Sequence, residues 1–130
     1  MSNIEKRILK RFPQNKMAKI ESIESDSSQV SLDLFIQPEL EWFIGHFDEQ
    51  AVLAGVVQTH WATEIGKTVF DIQNSFSKIE NLKFKSVIIP NIKLTLTVKH
   101  NPEKNMLSFT YKTDQTTFSQ GRIYFESSKS

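Results

Sequence analysis

The sequence predicts an α+β fold in which an antiparallel sheet wraps around one long helix. Apolar residues recur at helical spacing from about Leu53 to Phe70. Several other segments alternate apolar and polar residues, which is typical of strands with one buried face. The apolar face of such a sheet must be covered, and residues 53–70 form the only long helix predicted. We therefore expect a single domain spanning residues 1–130.

Each predicted element follows from a local pattern. A short helix ends before Pro13, because the residue before a proline avoids the helical conformation. Turn residues 25–28 separate two alternating segments and predict a hairpin. The elements in order are a short helix (3–11), a hairpin (17–24 and 29–36), an irregular segment (37–50), the long helix (53–70), and three or four strands (about 82–85, 92–99, 107–112 and 116–126).

The composition excludes several classes of protein. The formal net charge of +1 provides no basic field, so we expect no nucleic-acid partner. The absence of cysteine excludes disulfides, thiolate metal sites and a cysteine nucleophile. No apolar run approaches the ~20 residues of a membrane-spanning helix, and no signal peptide is evident at the N-terminus. We expect a soluble, cytoplasmic protein.

One segment, residues 42–58, carries the strongest functional signal. Trp42 is followed by Gly45-His46-Phe47, and Gly55-Val56 follows at the start of the long helix. This pattern resembles the active-site segment of the 3-hydroxyacyl-acyl-carrier-protein dehydratases, which have the hotdog fold. Residues 84–91 resemble a second segment of that family. The stretch from Gly55 to Ala62 is similar to the divergent aryl-polyene (ApeI-like) subgroup of these enzymes.

The sequence also departs from the family. Asp48 and Ala54 stand where the family usually has prolines. His60 stands fourteen residues after His46, where the family has its second catalytic group, a Glu or Asp. Glu64 lies one helical turn further along the same predicted face.

The resemblance implies a role for each candidate residue in the loss of water from a 3-hydroxyacyl thioester. His46 would take the proton from C2, since a neutral imidazole is a suitable base near pH 7. The N–H groups of Gly55 and Val56 would bind the thioester oxygen at the positive end of the helix. Either His60 or Glu64 would protonate the leaving hydroxyl. These last two residues could instead be ordinary polar residues on a helix surface.

The resemblance also implies partners and leaves other functions open. We expect an acyl carrier protein that presents its acyl group on 4′-phosphopantetheine, and a homodimer with both active sites at the interface. Neither a metal nor another cofactor is expected, because His46 and His60 lack an evident third ligand. The alternatives are a hotdog acyl thioesterase that uses Glu64 to activate water, and a non-catalytic subunit that binds the acyl carrier.

Overall fold

The computed structural model describes residues 3–13, 15–43 and 51–127. Two helices and six strands account for most of them. The elements are α1 (Asn3–Lys10), β1 (Lys19–Ser25), β2 (Gln29–Phe35), α2 (Gly55–Val69), β3 (Phe76–Phe84), β4 (Lys93–Asn101), β5 (Met106–Lys112) and β6 (Thr117–Phe125), with single 3₁₀ turns at Glu41–Phe43 and Pro102–Lys104.

The six strands form one antiparallel sheet in the order β1-β2-β4-β5-β6-β3. The two edges of this sheet are therefore β1 and β3. Although β3 precedes β4 in the chain, it pairs only with β6, so the chain crosses from one edge toward the middle of the sheet. This crossover carries residues 85–92 past the start of α2, where the Leu53 N–H donates to the Ile88 carbonyl at 2.8 Å.

The alternating pattern sets which face of the sheet is buried. Every second residue of the central strands is buried and points toward α2, while Thr, Ser and Lys side chains between them lie on the outer face. Helix α2 contributes Val57, Trp61 and Ile65 to the same core. Burial of this apolar surface provides the main driving force for the fold. The predicted sheet wrapped around one long helix, which is the hotdog arrangement, is confirmed.

Helix α1 packs against α2 rather than against solvent. Ile8 is completely buried, and the Arg7 guanidinium donates to the Thr68 carbonyl at 2.7 Å, in the last turn of α2. A cation at this position satisfies an unpaired carbonyl and opposes the negative end of the helix dipole. The short N-terminal helix is therefore part of the folded core.

The predicted turn at residues 25–28 forms through side-chain hydrogen bonds. Asp26 Oδ1 accepts from the backbone N–H groups of Ser28 at 2.8 Å and Gln29 at 2.9 Å, which closes the β1–β2 hairpin. These hydrogen bonds lower the pKa of the Asp26 carboxyl. Strand β3 is longer than predicted, since it begins at Phe76 rather than near Leu82.

Candidate active site

Helix α2 begins with backbone N–H groups that are free to bind a ligand. Ala54 is the N-cap residue, and its side chain makes no capping hydrogen bond. Its carbonyl accepts from Val57 N–H at 3.1 Å and Gln58 N–H at 3.2 Å. Within residues 3–13, 15–43 and 51–127, no group accepts from the N–H of Gly55 or Val56. Two unpaired amides at the positive end of a helix suit an oxygen that gains negative charge.

The side chain of Phe84 lies directly over this helix start. A Cβ added to Gly55 would meet three carbons of the Phe84 ring at 2.5–2.9 Å. Glycine is therefore required for the ring to approach the backbone so closely. Val56 is 75% exposed and Phe84 is 49% exposed, so the two amides lie beside an open apolar surface. Such a surface suits a ligand with an apolar chain.

The predicted pair His60 and Glu64 lies on the part of α2 that meets the N-terminal segment. Glu64 Oε1 accepts from Arg11 Nη1 at 3.0 Å, so the carboxylate forms an ion pair that holds this segment against α2. His60 is exposed, and its ring makes a T-shaped contact with Phe12, with ring centroids 5.6 Å apart. Glu64 is therefore engaged in an ion pair within the chain, whereas the imidazole of His60 is accessible to solvent.

The predicted base, His46, lies outside the described residues, together with its neighbours Gly45, Phe47 and Asp48. The chain on either side of residues 44–50 is anchored, because Phe43 and Leu53 are both buried in the core. The catalytic role of His46 stays a prediction.

The third histidine does not belong to the candidate site. His100 stacks on Phe70 with ring centroids 5.0 Å apart, beyond the C-terminal end of α2. Burial lowers the pKa of its imidazole. In the part of the chain that the structure describes, no cluster of three or more His, Cys, Asp or Glu side chains could hold a metal ion.

Sequence reasoning missed one polar residue of the helix start. Position 58 lies beside the apolar stripe of α2 and is buried, but it is a glutamine whose side chain donates to the Leu53 carbonyl, two residues before Gly55. The signal was present, because a polar residue inside an apolar helical stripe must find hydrogen-bond partners once it is buried.

The sheet, the central helix and the exposed helix start together define a hotdog-fold protein. The ApeI-like family, described as ApeI dehydratase, matches residues 22–122. The chain belongs to this family of dehydratases, and the predicted resemblance to the ApeI-like subgroup is confirmed.

Solved structures agree with this assignment. A chain of the dehydratase heterocomplex ApeI:P from Xenorhabdus doucetiae is 34% identical, with a TM-score of 0.78 over 83% of this chain and 96% of that chain. An uncharacterized protein from Erwinia carotovora subsp. atroseptica is also 34% identical, with a TM-score of 0.70 over 83% and 92% of the two chains.

Thioesterase superfamily member 2 from Mus musculus shares the fold, at 11% identity and a TM-score of 0.60 over 78% and 83% of the two chains. No curated protein sequence matches the chain. None of the described helices combines the length and the apolar character that crossing a membrane requires.

Proposed function

We propose that this protein removes water from a 3-hydroxyacyl group carried by an acyl carrier protein and forms the trans-2-enoyl thioester. Membership of the ApeI dehydratase family supports the type of reaction. The unpaired amides of Gly55 and Val56 beside an apolar surface are the structural observation that carries the proposal. They offer a thioester oxygen two donors, and loss of one such donor commonly costs ~2.7–4 kcal/mol of barrier.

The reaction requires two proton transfers and one stabilised oxygen. His46 takes a proton from C2, and the electron pair moves toward the thioester carbonyl, whose oxygen gains negative charge. Gly55 and Val56 N–H groups stabilise that oxygen. The electron pair then forms the C2–C3 double bond, while the C3–O bond breaks and the hydroxyl leaves as water after it receives a proton.

We assign the donation of that proton to His60 rather than Glu64. The Glu64 carboxylate is already engaged, since it accepts a hydrogen bond from the Arg11 guanidinium. The imidazole of His60 is exposed, and histidine is the side chain that most often serves in general acid–base catalysis. Glu64 then serves to hold the N-terminal segment beside His60. The same ion pair weighs against a thioesterase in which Glu64 activates water.

Kinetics of three variants test these assignments. Enoyl formation should fall at least ~100-fold in His46→Ala and in His60→Ala, because general acid–base catalysis typically contributes 10²–10⁴-fold. Glu64→Gln should lose much less activity than either histidine variant and a small amount of stability, because it removes the charge attraction to Arg11 but keeps an oxygen that can accept its hydrogen bond. Equal rates for His46→Ala and wild type would contradict the role of the base, and a greater loss in Glu64→Gln than in His60→Ala would reverse the choice of acid.

The acyl carrier would meet the N-terminal basic cluster, which consists of Lys6, Arg7, Lys10 and Arg11. Arg7 and Arg11 are engaged within the chain, by the Thr68 carbonyl and by Glu64. Lys6 and Lys10 are exposed on α1. These two lysines can attract an acidic carrier, an effect that raises the rate of encounter more than the affinity. Action in the cytoplasm stays a prediction of the sequence.

We also propose a homodimer that forms along strand β3. This edge strand is exposed over almost its whole length, and its apolar residues Phe76, Leu82 and Phe84 are 50%, 39% and 49% exposed. An edge strand with such residues is a template for pairing with another strand. The resemblance to dimeric dehydratases implies that residues of both copies complete each active site. The related ApeI:P structure is a heterocomplex, so a different subunit is the alternative occupant.

A further inference from the structure

Three buried polar side chains meet beneath the first turn of α2, on the side of the helix that faces the sheet. Gln58 is 3% exposed, and Tyr111 and Ser119 are completely buried. Tyr111 on β5 and Ser119 on β6 are direct cross-strand partners, so the sheet presents both hydroxyls to the same residue of the helix. Burial of polar groups is costly unless they are paired, so this arrangement calls for a specific explanation.

Every polar end of the cluster has a partner. Gln58 Nε2 donates to the Leu53 carbonyl at 2.9 Å, and Gln58 Oε1 accepts from Ser119 Oγ at 2.6 Å. The Tyr111 hydroxyl donates to the backbone carbonyl of Gln58 at 2.7 Å. Among the residues that the structure describes, no buried side-chain nitrogen or oxygen is left without a hydrogen bond. A fully satisfied polar network fixes one geometry more strictly than apolar packing does.

The bond to Leu53 controls the backbone that leads into the helix. Leu53 lies just before the N-cap residue Ala54, and its N–H is already held by the Ile88 carbonyl at 2.8 Å. The Gln58 amide holds its carbonyl as well. Both backbone polar groups of Leu53 are therefore fixed, one by the crossover segment and one by the helix itself. The two unpaired N–H groups follow closely, on Gly55 two residues after Leu53 and on Val56 three residues after it.

We infer that Gln58 is a positioning residue, which aims the Gly55 and Val56 amides at the thioester oxygen through its bond to the Leu53 carbonyl. The inference rests on the proposed dehydration of an acyl thioester. Gln58 is 3% exposed, so its side chain acts through the backbone rather than on a ligand at the surface. Its effect should appear in kcat, because oxyanion donors act on charge that develops during the reaction and a small misplacement of reacting groups is costly.

The chain offers a closely matched control at Gln37. That residue is 6% exposed, and its amide also bridges two backbone groups, since Nε2 donates to the Met17 carbonyl at 3.0 Å and Oε1 accepts from the Lys19 N–H at 3.1 Å. Gln58→Met and Gln37→Met each replace a buried amide by a thioether of similar size. Both variants should lose stability, but only the first should loosen the start of α2.

Steady-state kinetics with a 3-hydroxyacyl carrier substrate provide the test. We expect kcat to fall roughly tenfold or more in Gln58→Met, with KM within about threefold of wild type, as for the loss of an oriented oxyanion donor. Gln37→Met should keep kcat within about threefold. Wild-type kcat in Gln58→Met, or an equal loss in both variants, would overturn the inference.

A milder variant covers the case in which Gln58→Met does not fold. Ser119→Ala removes the donor to Gln58 Oε1 and leaves the Leu53 bond in place, so the amide is less firmly oriented. We expect a smaller decrease in kcat, about two- to fivefold, with KM unchanged. An unaltered kcat in this variant would then overturn the inference.

Failure of the proposed function can be told apart from failure of this inference. If wild type forms no enoyl product, the proposed function is wrong, and the position of the amides is then read from their ¹H–¹⁵N resonances. The Gly55 and Val56 resonances should shift in Ser119→Ala and Gln58→Met but not in Gln37→Met. Resonances that stay in place in all three variants would show that Gln58 does not position the helix start.

Discussion

At the scale of single residues, two glycines of α2 allow neighbouring side chains to approach the helix backbone closely. A Cβ at Gly66 would collide with Leu107 Cδ1, and Leu107 is completely buried. A Cβ at Gly55 would collide with the end of the Phe84 ring, which is half exposed and can turn away. The same substitution should therefore have different consequences at the two positions.

We expect Gly66→Ala to destabilise the protein by about 1–3 kcal/mol, which is typical of an overfilled core. The higher helix propensity of alanine offsets about 1 kcal/mol of the strain at most. Gly55→Ala should change the free energy of unfolding by less, and should instead lower dehydratase activity by moving Phe84. Urea unfolding of both variants checks this prediction, and a larger loss of stability in Gly55→Ala would contradict it.

His100 provides a prediction about pH. Burial lowers its pKa below the ordinary value of 6.5, so the folded state favours the neutral imidazole more than the unfolded state does. The resulting loss of stability begins as pH falls through the unfolded-state pKa and is complete below the folded-state pKa. The His100 ring protons should titrate below pH 6.5 by NMR, and the acid loss of stability should diminish in His100→Phe. A raised pKa would contradict the partial burial of His100 against Phe70.

The sequence predicted the burial of single residues correctly where the apolar spacing has only one interpretation. Trp61 and Ile65 are buried as their helical spacing requires. The sequence could not reveal the partners of two polar residues of α2. Ser119 lies 61 residues from Gln58 in the chain, and Arg11 lies 53 residues from Glu64. Those contacts depend on how the sheet and α1 pack against α2, which no local pattern specifies.

At the scale of elements, α1 is held by one buried apolar side chain and two arginines. Ile8 is completely buried between the helices, whereas Arg7 and Arg11 provide polar contacts to α2. An isolated helix of eight residues is unstable in water, so packing must supply its stability. Ile8 is the residue on which the docking of α1 depends most.

We expect Ile8→Ala to lower the free energy of unfolding by about 2–5 kcal/mol, as for other buried isoleucines. In this variant, amide hydrogen exchange should accelerate more in residues 3–10 than in the sheet, because α1 can separate locally. Exposed Lys6→Ala is the control and should leave exchange unchanged. Unaltered protection of α1 in Ile8→Ala would contradict this account.

Strand β3 shows why one element was predicted only in part. Most of its residues are exposed on both faces of the sheet edge, so residues 76–81 carry no alternation to detect. Its pairing with β6 shifts register between Glu80 and Lys83, and Asn81 has a φ of 53°. The strand forms because β6 provides a hydrogen-bonding partner, which is a tertiary effect.

At the scale of the whole molecule, the architecture was predictable because only one helix could cover the sheet. The sequence did not specify the strand order, in which β3 lies at the edge beside β6. That order has a functional consequence, since it exposes β3 and places Phe84 over Gly55. The edge proposed for the dimer and the candidate active site therefore lie on the same side of the molecule.

The proposed dimer makes a direct prediction. Wild type should have the mass of two chains by light scattering, and Phe76→Lys combined with Leu82→Lys should shift the mass to one chain, because two charges would face the partner strand. Activity should fall when the dimer dissociates, since each proposed site needs residues of both copies. Glu24→Lys on the opposite edge, strand β1, is the control. A wild-type monomer, or a charged variant that stays dimeric, would refute the arrangement.

The proposed loss of water from an acyl carrier substrate can be detected by intact mass spectrometry of a 3-hydroxyacyl carrier protein incubated with the purified wild-type protein. We expect a carrier that loses the mass of one water and keeps its acyl group. A carrier returned with a free phosphopantetheine thiol would indicate a thioesterase instead, and an unchanged carrier under conditions where it binds would contradict catalysis altogether.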